Sequence, residues 1–139
     1  MQIFQIDSLD SSELQPYRPL RRAVEHVKQG IFVAEGEKVV RRLLETEIQV
    51  VSLLLTERWL GDLKPILESM SDGDIRIWVA PKELLESIVG FELHQGIMAI
   101  GRIPRPMSLE EIPIALESPH LLVALDGLTN ADNVGVIVR

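Results

Sequence analysis

Short apolar runs alternate with amphipathic stretches from residue 31 to residue 102. The runs have the length and composition of buried strands and lie at 31–34, 50–55, 75–80 and 96–102. The stretches between them carry apolar side chains at helical spacing and lie at 37–45, 57–70 and 82–89. Thr56 is placed to cap the second of these helices, and Pro81 suits the start of the third. The order β-α-β-α-β-α-β predicts an α/β fold with helices on both faces of a largely parallel sheet.

The segments on either side are less regular. Residues 11–29 are predicted to be helical only in their second half, because Pro16 and Pro19 interrupt the first half. Beyond residue 102, Pro104 and Pro106 form a stiff connection, and Ser108-Leu-Glu-Glu111 has the form of a capping box. We therefore predict two domains, at residues 1–105 and 106–139.

The second domain begins with another pattern of strand, loop and helix. Residues 120–125 are an apolar run that predicts a further buried strand, and residues 126–132 are a polar loop. A helix is expected to begin near Asn133, with Gly135 close to its start. Ligands of α/β proteins bind where strands end, and helix N-termini attract anions, which makes this loop a candidate site. By spacing alone, Asn133 and Arg139 need not share a helix face, and a helix cap with a surface arginine is the simpler interpretation.

Charge and composition limit the partners that the chain is expected to bind. The chain has 139 residues, 46% of them hydrophobic, no Cys and a net charge of −7. The size allows one full domain, and the absence of Cys suits a cytoplasmic protein. No apolar run is long enough to cross a membrane, so no membrane partner is expected. The negative charge argues against indiscriminate binding to nucleic acid, but residues 18–42 hold seven bases against three acids, so a local basic face is predicted.

Metal and hydrolase chemistry lack support in the sequence. His26, His94 and His120 are widely separated and are expected to be surface or strand-end residues, so no metal is predicted. No serine-hydrolase elbow or phosphate-binding glycine loop is present. Trp59 and Trp78 are expected to pack in the core.

Three segments resemble one enzyme family. Leu125-Asp126-Gly127, followed by Asn133, Gly135 and Arg139, is similar to the first motif of the SpoU (or TrmH) branch of the SPOUT methyltransferases. Ile31-Phe-Val-Ala-Glu35-Gly36-Glu-Lys resembles the N-terminal segment of that family, and His94-Gln95-Gly96-Ile-Met-Ala99 resembles the segment that closes its first domain. The three matches stand in the expected order, which is more specific than any one of them.

The resemblance implies an RNA 2'-O-ribose methyltransferase that uses S-adenosylmethionine on ribosomal or transfer RNA. Its first domain would be a three-layer α/β/α sandwich similar to ribosomal proteins that bind kinked RNA, followed by the first strand and helix of a knotted, Rossmann-like domain. Asn133 and Arg139 would fall on the catalytic pair. The loops that hold the cofactor would lie beyond Arg139, so this 139-residue chain is expected to be inactive. Asn130-Ala131 departs from the Asp-Pro found in many members, which puts the rigidity of the loop in doubt.

The candidate RNA contacts come from the same matches and from the basic segment. They are Arg18, Arg21, Arg22, Lys38, Arg41, Arg42, Glu35 and Gln95. Each has a structural alternative, since charge clusters are commonly solvated helix faces and glycine-containing segments commonly form turns.

Two alternatives to the enzyme remain open. One is a non-catalytic RNA-binding module of the kink-recognising type, and the other is a protein-interaction domain. The apolar residues 120–139 could be disordered, dock on the first domain or pair with the same segment of a second chain. Of these outcomes we favour pairing in a homodimer.

Overall fold

The computed structural model describes residues 1–18, 23–70, 75–89, 96–112, 119, 121–129 and 131–138. The chain forms two compact units, at residues 1–104 and 105–139. The five strands are β1 (Gln2–Gln5), β2 (Ile31–Glu35), β3 (Val50–Leu55), β4 (Arg76–Val79) and β5 (Ile97–Arg102). The α-helices are α1 (Ala23–Lys28), α2 (Glu37–Leu44), α3 (Glu57–Ser69), α4 (Lys82–Val89) and α5 (Ala131–Val138). The α/β class predicted from the alternating pattern is confirmed.

The strands form one sheet in the order β1-β4-β3-β5-β2. β4 lies between β1 and β3 and is parallel to both, whereas β5 is antiparallel to both of its neighbours, β3 and β2. The sheet is therefore mixed, and the prediction of a largely parallel sheet was wrong for β5. An apolar run has the same composition whether the strand is parallel or antiparallel to its neighbours. The pattern therefore located β5 but could not give its direction.

The first strand was not predicted from the sequence. β1 has only four residues, all exposed, and it pairs with β4 so that Phe4 lies beside Trp78. The two rings stack with centroids 4.7 Å apart. Trp78 and Trp59 are both buried, as expected for large aromatic residues. A strand this short at the edge of a sheet leaves too few alternating positions to be recognised.

Helices cover both faces of the sheet. On one face, Val40 and Leu43 of α2 and Leu63 of α3 pack with Leu53 and Leu55 of β3. On the other face, a 3-10 helix (Ser12–Tyr17) and α4 pack against side chains that alternate with the first set. These are Leu14, Tyr17, Leu54, Trp78, Leu85, Met98 and Ile100. Because successive strand residues point to opposite faces, one run of apolar residues such as β3 serves both layers.

Two polar contacts hold the 3-10 helix in place, one with β3 and one with α1. The hydroxyl groups of Tyr17 and Ser52 lie 2.7 Å apart in the buried core. His26 of α1 is also buried, and its Nε2 atom lies 2.9 Å from the carbonyl oxygen of Pro16. The expectation that His26 is a surface residue was therefore wrong. His94 and His120 lie outside the described residues.

The second unit confirms two local predictions and corrects one. The amide of Ser108 donates to Glu111 Oε2 at 2.8 Å, and the amide of Glu111 donates to Ser108 Oγ at 3.3 Å, which is the predicted capping box. Residues 121–125 are exposed and form no strand, because nothing in the described part of the chain pairs with them. The following helix, α5, begins at Ala131, two residues before Asn133, so the helix expected near Asn133 is present. No described helix is long and apolar enough to cross a membrane.

Candidate functional site

Two of the segments that resemble the methyltransferase family meet at one edge of the sheet. Glu35, at the end of β2, is paired with Met98 of β5, and the amide of Gly36 donates to the carbonyl of Ile97 at 3.1 Å. Gly36 has φ of 86°, a conformation that favours glycine, and it immediately precedes α2. We call this the motif edge and define it by Glu35, Gly36, Thr56, Gly96 and Ile97.

Gly96 fits closely against Thr56 at the motif edge. The amide of Thr56 donates to the carbonyl of Gly96 at 3.2 Å, and Gly96 has φ of +63°. A Cβ atom on Gly96 would lie 3.1 Å from the methyl group of Thr56. Thr56 does precede α3 as predicted, but its side chain makes no capping hydrogen bond. The edge therefore joins the ends of β2 and β3 to the start of β5 through backbone hydrogen bonds, which makes it a rigid platform.

Two charged candidates lie next to this platform. Glu35 and Lys38 are both exposed. In the described part of the chain, Lys38 makes no ion pair, so its ammonium group is available to a ligand. Gln95, the remaining candidate in these two segments, lies outside the described residues.

The basic segment does not form one surface. Arg18 follows the 3-10 helix, whose Tyr17 packs on one face of the sheet, whereas Arg41 and Arg42 belong to α2 on the opposite face. Each is paired with an acid: Arg18 with Asp10 at 3.0 Å, Arg41 with Glu37 at 2.9 Å and Arg42 with Glu45 at 3.8 Å. The predicted local basic face is thus divided between two sides of the molecule. Arg21 and Arg22 lie outside the described residues.

The carboxylate that faces Arg18 is held in its charged form. Hydrogen bonds from Ser8 and then from Arg18, together with the positive charge of Arg18, lower the pKa of Asp10. The pair is exposed to solvent, where ion pairs contribute little to stability. Arg18 therefore remains able to exchange this partner for another anion.

The structure adds one arginine, Arg58, that the sequence did not single out. Arg58, at the start of α3, lies with its guanidinium carbon 5.5 Å from the ring centre of Trp59, and that of Arg41 lies 6.0 Å from the same ring. Arg58 stands alone between apolar and acidic residues in the sequence, so nothing there connected it with Arg41. Only the packing of α2 beside α3 brings them together.

The predicted catalytic residues belong to the second unit. Asn133 is exposed in the first turn of α5, and Arg139 lies outside the described residues. Residues 121–129 are exposed throughout, so their side chains do not form the enclosing walls that a site for S-adenosylmethionine requires. Among the residues that the structure describes, no group of three His, Asp or Glu side chains could hold a metal ion.

Comparisons with known proteins agree on the family. The RNA 2'-O ribose methyltransferase substrate-binding family of SpoU type matches residues 33–107. A 23S rRNA (guanosine-2'-O-)-methyltransferase, RlmB, of Yersinia pestis is 35% identical over 109 residues, covering 75% of this chain and 44% of the relative. A tRNA/rRNA methyltransferase of Mycobacterium tuberculosis is 28% identical over 135 residues, covering 94% of this chain and 44% of the relative. The chain thus spans less than half the length of these relatives.

Solved structures show the same fold. A crystal structure of an RNA 2'-O ribose methyltransferase superimposes with a TM-score of 0.57 at 17% identity, over 75% of this chain and 39% of that protein. An AdoMet-bound rRNA methyltransferase from Sinorhizobium meliloti gives a TM-score of 0.57 at 16% identity, over 75% and 38%. With residues 33–107 matched to the family and its two N-terminal segments joined at the motif edge, the chain belongs to the SpoU family of RNA 2'-O ribose methyltransferase substrate-binding domains.

Proposed function

We propose that this chain is the RNA-recognising part of an enzyme that transfers a methyl group from S-adenosylmethionine to a ribose 2'-oxygen of ribosomal or transfer RNA. Residues 1–105 bind the RNA. The observation that carries this proposal is the junction of Glu35-Gly36 and Gly96-Ile97 at the motif edge. This junction places an exposed acid and an exposed lysine beside a rigid backbone, at the edge where α2 and α3 both begin.

The charge of the chain determines how such a surface binds RNA. With a net charge of −7, general attraction to phosphates cannot supply the affinity. Folded RNA is recognised largely by its shape, through contacts to phosphates, 2'-hydroxyl groups and unstacked bases. A few fixed contacts at one edge suit this mode. We therefore assign contact roles to Glu35 and Lys38, and to Gln95 by its position next to Gly96.

For the chemical step we assign Asn133 and Arg139 to the target ribose. The pKa of a guanidinium group is at least about 12, so the group keeps its proton at neutral pH and is a poor base. Its paired N–H donors suit a phosphate or an oxygen on which negative charge develops. Arg139 thus binds the target phosphate and stabilises the 2'-oxygen as its proton passes to a base other than Arg139 or to solvent, while Asn133 orients that hydroxyl. The cofactor supplies the methyl group, and the exposed residues 121–129 offer no walls to hold it.

We predict that the 139-residue chain neither binds S-adenosylmethionine nor methylates RNA, whereas the intact protein does both. This chain covers only 44% of the Yersinia pestis relative, and the family resemblance places the cofactor loops beyond Arg139. Calorimetry with the cofactor and transfer of a labelled methyl group to RNA test the two proteins side by side. Micromolar binding of the cofactor by the 139-residue chain would show that its pocket lies within these residues.

The same assay separates the alternative functions. An intact protein that binds RNA but transfers no methyl group would be a non-catalytic RNA-binding module. A protein that binds no RNA would be a protein-interaction domain. The homodimer and the cytoplasmic location stay predictions, which light scattering and cell fractionation can test.

A further inference from the structure

In the described part of the chain, two guanidinium groups lie near the indole ring of Trp59, which is in the first turn of α3. The guanidinium carbon of Arg41 is 6.0 Å from the centre of the indole ring, and that of Arg58 is 5.5 Å from it. Both distances are in the range of cation–π contacts. Trp59 is only 8% exposed, so the core holds its ring in place. Two helices therefore bring two positive groups to one fixed aromatic surface.

The ion pairs of these arginines leave their terminal amino groups available. Arg41 is held by Glu37 through Nε at 2.9 Å, and Arg58 faces Asp62 with its Nε atom, at 3.8 Å. In the described part of the chain, the terminal nitrogens of neither arginine make a hydrogen bond. The side chain of Arg58 is 80% exposed, and that of Arg41 is 32% exposed. Each group thus presents to solvent the two donors that bind phosphate oxygens in pairs.

The position of the pair connects it with the motif edge. α2 and α3 begin where β2 and β3 end, at Gly36 and Thr56. Arg58 is the second residue of α3, and Arg41 is the fifth residue of α2. Arg58 thus lies in the first turn of α3, and Arg41 lies in the last turn of α2, one turn away from the motif edge. A nucleic acid that crosses the motif edge and continues along α2 would reach both guanidinium groups.

We propose that Arg41 and Arg58, held against Trp59, form a clamp for the sugar–phosphate backbone of the RNA substrate. This inference rests on the proposed RNA-binding function and specifies where the phosphates are held. Because Trp59 and the Nε hydrogen bond with Glu37 already restrict the side chain of Arg41, little conformational entropy is lost there when a phosphate binds. Two oriented cations of this kind let an acidic chain bind RNA without a broad basic surface.

The test replaces each arginine by glutamine in the 139-residue chain. Arg41→Gln, Arg58→Gln and the double variant are compared with the wild-type chain in filter binding to 23S rRNA and tRNA transcribed in vitro, over a series of salt concentrations. Loss of one charged hydrogen-bonding group is expected to weaken binding about tenfold. The slope of log affinity against log salt concentration should become shallower by about 0.7 for each phosphate that the variant no longer binds.

Two further variants distinguish a clamp from general electrostatics. Lys64→Gln removes the same charge from an exposed position of α3, and it should leave the affinity within about twofold of wild type. Arg58→Lys keeps the charge but lacks the planar fork, and it should bind with an affinity between those of wild type and Arg58→Gln. Thermal melting of every variant shows whether the fold is intact.

The outcomes separate this inference from the function on which it rests. If the wild-type chain binds RNA and the glutamine variants bind equally well, the two arginines serve only to hold α2 against α3, and the clamp is wrong while RNA binding stands. Equal losses for Lys64→Gln and Arg58→Gln would also overturn it, because charge alone would then explain both. If the wild-type chain binds neither RNA, the clamp and the proposed function both fail.

Discussion

Replacing Arg139 by alanine in the intact protein is expected to abolish turnover while leaving the affinity for S-adenosylmethionine nearly unchanged. Loss of one oriented donor to a developing negative charge slows related reactions by about 100- to 1000-fold, and the role proposed for this arginine also includes binding of the target phosphate. The rate of methyl transfer under single-turnover conditions measures the first effect, and calorimetry measures the second.

The control for this prediction is Asn133→Ala, which removes an orienting group but no charge. It should slow methyl transfer less than Arg139→Ala does, because it keeps the positive charge that stabilises the 2'-oxygen and loses only the group that orients the hydroxyl. Turnover of Arg139→Ala within a few-fold of wild type would remove Arg139 from the catalytic site. A large loss of cofactor affinity would move its role to the cofactor.

The second large effect is expected at Tyr17. Its side chain is fully buried, and its hydroxyl group lies 2.7 Å from that of Ser52. Tyr17→Ala should lower the free energy of unfolding by about 3–5 kcal/mol, because it opens a cavity and leaves a buried hydroxyl group without a partner. Tyr17→Phe keeps the ring and should cost about 1–2 kcal/mol. Urea denaturation measures both, and a loss below about 1 kcal/mol for Tyr17→Ala would contradict the buried position.

Alkaline pH tests the same side chain in another way. Burial raises the pKa of Tyr17, although the hydrogen bond with Ser52 opposes this. The unfolded chain ionises near the ordinary tyrosine pKa of about 10, while the folded chain keeps its proton. Stability should therefore be unaffected by Tyr17 below that pH and decrease above it. Tyr17 is the only tyrosine, so tyrosinate absorbance should appear together with unfolding. Its appearance in the folded protein near pH 10 would contradict the prediction.

The elements that could be predicted from the sequence are those that depend on the local pattern of apolar and polar residues. β3 and β4 and the helices between β2 and β5 lie where apolar spacing placed them, and Ser108 and Glu111 form the expected capping box. The direction of β5 depends on which strands it meets, and that information is distributed over the whole sheet. Residues 121–125 have the composition of a strand, but a strand also needs a partner, which a local pattern cannot supply.

The candidate site was predictable only in part. The family resemblance identified Glu35, Gly36 and Gly96, but it did not show that they are joined through Ile97. The segment from residue 18 to residue 42 is basic in sequence, yet the sheet separates Arg18 from α2. Arg58 was missed because its relation to Trp59 and Arg41 exists only after α2 and α3 have packed.

Amide hydrogen exchange of the 139-residue chain, measured with and without 23S rRNA or tRNA, tests most directly whether the motif edge binds RNA. The first amides of α2 and α3 have no partner within their helices, so they exchange readily unless a ligand covers them. Bound RNA should slow exchange at residues 38–39 and 57–58, and leave residues 12–17 on the opposite face unchanged. Slowed exchange confined to residues 12–17, or no change at the motif edge at saturating RNA, would contradict the assignment of this edge to RNA.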